Sequence, residues 1–299
     1  MKKKVLITGL NGNVAKTLAK RLDPSIYEIT FLTSNKKQVS NNIFYWDSNK
    51  NYIDPEALKN TAHIIHLAGF NITNSWTSKN KQKMFNSRVE TSNLLYKECK
   101  KNNIKPLSFI SASAMGYYGF EAKGIQQEQD KAGNDWMARL CLEWEKAADN
   151  FQLIKTRVIK LRLSLIMDKH SGILQKTCLG FRFKTGLIFG DGSQSFPWID
   201  IEDVAKFIEF TIQNKTVEGV FNLAAPEKIS YNNFIKTVQQ IKFKNSILFK
   251  IPKNVIEFFL PEKKSLLLNN TSLSTKKIES TGFKFIYRSL EECIKARLS

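Results

Sequence analysis

The stretch Lys4-Val5-Leu6-Ile7-Thr8-Gly9-Leu10-Asn11-Gly12-Asn13-Val14-Ala15 decides the fold. Its first half is an apolar run of strand character; its second half breaks into a glycine turn and then a helix. Gly9 permits the tight bend, Gly12 lets backbone N–H groups approach a pyrophosphate, and the small Ala15 lets a helix from about Asn13 to Leu22 lie close to the strand. The helix N-terminus then faces the anion, favoured by its dipole by about 0.3–1 kcal/mol when exposed and up to about 2 when partly buried. A glycine triplet also occurs in turns that bind nothing. Here a second apolar strand, Glu28–Thr33, arrives at the spacing a strand–helix–strand unit needs. Lys16-Thr17 resembles the end of an ATP-binding loop, but that motif requires glycine where Leu10 and Ala15 stand.

Working outward, strand-like and helical runs alternate: His63–Ala68, a helix near Ser87–Lys101, Leu107–Ser111, a helix over about Asp135–Asn150, and Val158–Leu163. This predicts an α/β fold, a doubly wound parallel sheet of Rossmann type. Beyond it the alternation weakens. The expected division is a dinucleotide-binding domain over 1–167 with about 196–224, and a smaller mixed C-terminal substrate lobe over about 168–195 and 225–299. No internal repeat or low-complexity tract is evident.

Ligands of open α/β sheets bind beyond the carboxyl ends of the strands. The cofactor-binding candidates are therefore Thr8, Gly9, Asn11, Gly12, Asn13 and Val14 after the first strand, Ser34, Asn35 and Lys36 after the second, Leu67, Ala68 and Gly69 after the third, and Ser111 after the next. A protein specific for NAD usually offers a carboxylate at the second strand end, whereas one taking NADP offers cations or hydroxyls. Thr33-Ser34-Asn35-Lys36-Lys37 contains no carboxylate, so NADP is expected ahead of NAD. The lysine pair also reads as solvated loop charge.

Composition bounds the rest. The 299 residues are enough for a large core, and a hydrophobic fraction of 42% is ordinary for a globular chain. No apolar run approaches the ~18–20 residues of a membrane helix, and the start is broken by Gly9 too early for a signal peptide, so a cytoplasmic location without membrane association is expected. Cys99, Cys141, Cys178 and Cys293 are widely spaced and read as reduced thiols, with no zinc or other metal site. His63 and His66 point to opposite faces of a strand and cannot clasp one metal; His170 stands alone in a turn. The formal charge of +19 raises nucleic acid as a partner, but the lysines are scattered and no recognition element appears, so no specific nucleic acid is expected. A homodimer or a protein partner is left open.

These residues resemble the extended short-chain dehydrogenase/reductase superfamily, the relatives of sugar-nucleotide epimerases within the NAD-dependent epimerase/dehydratase group. TGLNGNVA (Thr8–Ala15) resembles TGxxGxxG, and HLAG (His66–Gly69) resembles the strand-four element. Within it the chain is similar to an atypical subgroup of epimerase-like oxidoreductases carrying a C-terminal domain of unknown function. The matching pieces are LAGFNI, Trp76-Thr77 with Ser87-Arg88-Val89 and Thr91, SASAMGYYG, Trp144-Glu145, GDGSQSFPWIDIEDV, the Asn222 and Pro226 pair, and TGFKFIYRSLEE.

The resemblance implies a Ser that orients the substrate oxygen and a Tyr-x-x-x-Lys pair for proton transfer. Ser113 matches the serine. The tyrosine and lysine are replaced by Met137 and Cys141 when Trp144-Glu145 is the anchor, or by Trp136 and Leu140 when Trp136 is. Tyr96 and Lys100 have the spacing but precede the Ser113 strand, and they read as helix-face residues. Tyr117 and Tyr118 are the remaining catalytic candidates, with packing of the loop against the cofactor as their alternative role; Arg139 and Cys141 stand further out. Arg139 and Gln194, with Ser195, are candidate substrate contacts. Asp200 replaces a family histidine, and Asp203 is expected to cap or anchor a helix starting near Val204.

Two functions follow: an NADP-dependent oxidoreductase or epimerase acting on an unidentified small carbonyl, hydroxyl or nucleotide-sugar compound, or a catalytically silent NADP-binding sensor or scaffold. Relatives from photosynthetic lineages linked to cell division bear on the second by analogy alone.

Overall fold

The computed structural model describes residues 2–259 and 264–299. In chain order the strands are β1 (Lys3–Thr8), β2 (Tyr27–Thr33), β3 (Ile43–Asp47), β4 (Tyr52–Ile53), β5 (Thr61–His66), β6 (Ser108–Ala114), β7 (Ile125–Gln126), β8 (Arg157–Leu163), β9 (Leu165–Met167), β10 (Thr185–Phe189), β11 (Trp198–Asp200), β12 (Gly219–Leu223), β13 (Ile247–Ile251) and β14 (Ser272–Leu273). The helices are α1 (Asn13–Arg21), α2 (Pro55–Leu58), α3 (Ser78–Phe85), α4 (Thr91–Lys101), α5 (Trp136–Asp149), α6 (Gly172–Arg182), α7 (Ile201–Gln213), α8 (Tyr231–Lys242), α9 (Lys253–Phe259), α10 (Lys264–Leu267), α11 (Lys276–Ser280) and α12 (Leu290–Leu298).

Eight strands form one sheet in the order β12-β8-β6-β5-β1-β2-β3-β4. β1 pairs in parallel with β2 and with β5, as β2 does with β3 and β5 with β6; the short β4 is antiparallel on β3. From β1 the chain builds outward to β4, then crosses back to start the other half at β5. The reversal falls between β1 and β5, and the carboxyl ends flanking such a point are where open sheets bind ligands. This is the α/β architecture the alternation predicts.

Local chemistry explains the elements. β1 buries Lys4 through Thr8, as a central strand does. α1 buries Ala15 and Leu18 and places Lys20 and Arg21 in its last turn, where cations suit the dipole. The helix expected over Ser87–Lys101 is not uniform: α3 and α4 are joined by a π turn, Asn86–Glu90, that contains Arg88.

The chain divides into two compact units, Met1–Ser113 with Arg139–Leu161 and Ala205–Phe221, and Ala114–Ala138 with Arg162–Val204 and Asn222–Ser299. The first has a core of sheet residues such as Leu6, Ile64 and Phe109, with Phe109 stacked on Phe151 at 3.8 Å between ring centroids. The second is built around Trp198, Phe181, Phe234 and Leu290, with Phe196 stacked on Phe234 at 4.3 Å.

Of the two roles the sequence offers Asp203, capping or anchoring, the earlier start of α7 removes the position for the cap. α7 begins at Ile201, and its early N–H, that of Glu202, donates to Asp200 Oδ1 at 2.7 Å. Asp203 lies inside the first turn and accepts from the backbone N–H groups of Ile286 and Tyr287, fastening the C-terminal segment.

The two strand histidines are buried and neutral. His63 Nδ1 meets Ser108 Oγ at 2.8 Å, and His66 Nε2 meets Thr91 Oγ1 at 3.0 Å. Burial lowers His63 to about 4 and His66 to about 3, with the Arg88 charge adding to the latter. The unfolded chain therefore takes up protons below its ordinary histidine range while the folded chain does not. Stability is full near neutrality and falls as pH drops from about 6.5 toward 4, by up to about 1.4 kcal/mol per pH unit for each histidine. Urea midpoints at pH 7 and pH 5 should show the fall, and His66→Asn should reduce its slope. A slope indifferent to both His63→Asn and His66→Asn would reassign it to the carboxylates.

Candidate functional site

The glycine turn is built as an anion cradle. Gly9 has φ +80°, and a Cβ there would lie 2.9 Å from the Leu67 carbonyl oxygen. Gly12 donates its N–H to Gly9 O at 2.8 Å and takes the N-cap position of α1 with no side-chain cap. No acidic residue occupies the first turn of α1. The amide-lined start of α1 has the geometry to take an anion.

Thr8 is fully buried, and its Oγ1 accepts from Leu67 N at 3.0 Å and Ala68 N at 2.9 Å, pinning the ends of β1 and β5 together. Its side chain therefore positions the cradle. Asn11 Oδ1 accepts from Gln38 Nε2 at 3.2 Å, and Thr33 Oγ1 donates to Gln38 Oε1 at 2.8 Å, which links the turn to the end of β2. Ser34, Asn35 and Lys36 are exposed on that end. Asn35 Oδ1 accepts from Lys37 N, and Lys36 Nζ lies 5.2 Å from the Tyr45 ring centroid.

At the end of β6, Ser113 is buried and donates its hydroxyl to Glu145 Oε1 at 2.7 Å; Glu145 is buried too. Ser111, two residues earlier, turns its hydroxyl onto Ala112 O. Glu145 is the functional candidate that the reading by residue roles missed. Its signal was a carboxylate one turn after Cys141 on the buried stripe of α5, where an unpaired charge is costly. Arg139 lies on the exposed side of α5. Tyr96 packs edge-on against Phe151, as a helix-face residue does.

Trp144 Nε1 donates to His66 Nδ1 at 3.4 Å, and its ring lies 5.1 Å from the Arg88 guanidinium carbon. Arg88 Nη1 donates to Phe70 O at 3.0 Å and Met84 O at 3.2 Å. The guanidinium rests on Gly69, where a Cβ would lie 2.9 Å from Cζ. Burial lowers the Arg88 pKa, and the Cys141 thiol acts in the opposite direction.

In the second unit, Tyr118 is buried and its hydroxyl is committed. It donates to Asn222 Oδ1 at 2.6 Å, lies 3.0 Å from Gln127 O, and accepts from Arg162 Nη1 at 2.9 Å. Burial pushes it up to about 12 despite the neighbouring Arg162 charge. Tyr117 places its ring 3.3 Å from the Arg162 guanidinium carbon and edge-on to Tyr118. The tyrosine pair therefore clamps a buried arginine. Gln194 Nε2 donates to Phe189 O and Leu267 O, so its amide hydrogens hold its own loop. Among the described residues no three His, Cys, Asp or Glu side chains are placed to hold a metal, and no helix is long and apolar enough to cross a membrane.

A parallel sheet reversing beside a glycine cradle, with a serine closing the next strand, defines a dinucleotide-binding α/β protein. Residues 5–224 match the NAD dependent epimerase/dehydratase family, and the chain belongs to it. An epimerase family protein of Staphylococcus aureus strain MRSA252 is 30% identical over 300 residues, 99% of each chain. The fold is shared with the human epimerase family protein SDR39U1 (isoform 2) solved with NADPH, at TM-score 0.84 and 23% identity, covering 98% of both chains. It is shared also with UDP-glucuronic acid 4-epimerase from Bacillus cereus in complex with NAD, at TM-score 0.78 and 16% identity, covering 98% of this chain and 96% of that one. The cradle, with its uncapped helix and glycines that a Cβ would obstruct, fits a nicotinamide dinucleotide.

Proposed function

We propose that the chain binds NADP and interconverts a small carbonyl compound and its alcohol, or inverts a hydroxyl centre through the same step, with Ser113 and Glu145 moving the proton. The observation that carries this is the buried 2.7 Å hydrogen bond between Ser113 Oγ and Glu145 Oε1 at the carboxyl end of β6. Bound nicotinamide would supply or accept the hydride. The backbone from Gly9 to Val14 would hold the diphosphate; Leu67, Ala68 and Gly69 would face the middle of the dinucleotide. Lys36 with Ser34 and Asn35, on a strand end free of carboxylates, suits an additional phosphate, in keeping with the NADPH of the human neighbour.

In the reducing direction Ser113 donates its proton to the substrate oxygen and recovers one from protonated Glu145, which is reprotonated from solvent. In the oxidising direction the same chain runs backwards, with Glu145 as the final acceptor. The route needs no tyrosine or lysine on α5, and it leaves Tyr118 in its clamp.

The test is turnover with NADPH over a panel of carbonyl compounds. Ser113→Ala and Glu145→Gln should each lower kcat about ten- to hundredfold, the worth of a hydrogen bond to a charged group, with NADPH affinity changed less than twofold. Wild-type turnover in both variants would end this assignment. A wild-type protein that binds NADPH and turns over nothing across the panel would favour the second reading, a silent NADP-binding sensor, which the committed Tyr118 hydroxyl and the missing helix tyrosine support.

A further inference from the structure

We infer that Arg88 is a carboxylate-binding residue, and that the compound taken by this site is an oxo acid or hydroxy acid whose carboxylate lies within two or three bonds of the reacting carbon. The inference rests on the proposed chemistry for the word "reacting" and on the guanidinium alone for the word "carboxylate".

The charge is brought inside without a counter-ion. Among the described residues Arg88 forms no ion pair, and its neighbours are Trp144, the Cys141 thiol and His66, which burial keeps neutral. A half-buried cation left in this way is unfavourable until an anion reaches it. Its hydrogen bonds within the protein select the anion. Nη1 spends its two hydrogens on Phe70 O and Met84 O, and Nε and Nη2 bond nothing in the described protein. The edge that remains carries the two parallel N–H groups that match a carboxylate in bidentate fashion.

The placement is built by the backbone. Arg88 lies in the π turn between α3 and α4, an insertion that recurs at functional sites. Its guanidinium crosses the end of β5 because residue 69 is glycine; a Cβ there would lie 2.9 Å from Nη2. The parallel register sets His66 beside Ser111 as the last pair of β5 and β6; carried on by two residues along each chain, it brings Ala68 level with Ser113 and Gly69 just beyond it. Neighbouring strands are about 5 Å apart. A ligand oxygen held at Ser113 therefore has its next group within reach of Arg88, a span that suits a short acid.

The probes are pyruvate and malonate, with neutral pyruvamide and inorganic phosphate as comparisons, titrated into the full-length protein with and without NADPH. Pyruvate or malonate should bind in the millimolar range or tighter and pyruvamide at least tenfold more weakly. Arg88→Met should weaken the acids at least tenfold and Arg88→Lys about threefold, with NADPH affinity within twofold of wild type. Gly69→Ala, which keeps the arginine but displaces its guanidinium, should reproduce the loss if Arg88→Met does not fold. Equal binding of the acids in wild type and both variants, or no binding to wild type, overturns the inference, as does preference for phosphate over the acids. Parallel loss of NADPH affinity in Arg88→Met would reassign the residue to the cofactor. Acid binding that survives without nucleotide while turnover is absent would fail the proposed chemistry and leave the Arg88 assignment standing.

Discussion

Gly9→Val should raise the Kd for NADPH by two to four orders of magnitude. The added Cβ would lie 2.9 Å from the Leu67 carbonyl oxygen and 3.2 Å from the Ala68 nitrogen, both backbone atoms. Neither can step aside, because Thr8 Oγ1 holds the N–H groups of Leu67 and Ala68. The φ of +80° adds strain of about 1–2 kcal/mol for any residue with a side chain. The turn must therefore open, and opening it removes the Gly12 N–H to Gly9 O bond that shapes the cradle. Losing two amide contacts to a charged diphosphate, at about 1.5–3 kcal/mol each, gives the stated range. Gly124→Ala is the control: its φ is +71°, but nothing lies within 4 Å of the new Cβ. It should lose about 1–2 kcal/mol of stability, the backbone strain alone, and leave the NADPH Kd unchanged. Calorimetric titration of both variants with NADPH decides the matter. A Gly9→Val protein with wild-type affinity would mean that the diphosphate does not rest on this bend.

The cradle was legible because everything it needs is local: an apolar strand, a bend only glycine tolerates, and a small residue at Ala15, all within twelve consecutive residues. The sheet was legible for a related reason, since each central strand carries its own apolar run between helical stretches. The proton-handling pair was half legible. Ser113 sits at a strand end, where inspection is warranted, but its partner Glu145 is 32 residues away, and nothing near either residue encodes the meeting. Tyr118 reads in the sequence as a proton donor beside a loop, and nothing there shows that its hydroxyl meets Asn222, 104 residues on. Asp203 likewise finds its acceptor role with backbone groups 83 and 84 residues away. The π turn at Asn86–Glu90 was invisible for a different reason: one extra residue in a helical turn leaves the composition unchanged while re-aiming Arg88.

Asp200→Ala should cost the second unit about 3–5 kcal/mol, the range for removing one partner of a buried ion pair. Asp200 is fully buried at the end of β11. Arg297 on α12 grips it in bidentate fashion, Nε to Oδ2 at 2.7 Å and Nη2 to Oδ1. The same carboxylate takes the Glu202 N–H and the Cys293 Sγ–H, the latter at 3.3 Å. Burial, with Asp200 beside it, pushes the Cys293 thiol up, which favours its role as a donor to the carboxylate. Alanine thus strands a guanidinium, a thiol and a helix N–H at once. It also unfastens α12, whose Leu290, Cys293 and Ile294 complete the core around Trp198 and Phe234. Arg297→Met should destabilise by a comparable amount, since the carboxylate is then left with two weaker donors. The double variant Asp200→Leu/Arg297→Met should lose far less than the sum, because an apolar pair leaves no stranded charge. Urea unfolding of the three variants measures the cycle. Single-variant losses under about 1 kcal/mol, or full additivity in the double variant, would show that the pair does not act as a unit and that α12 is held by its apolar face alone.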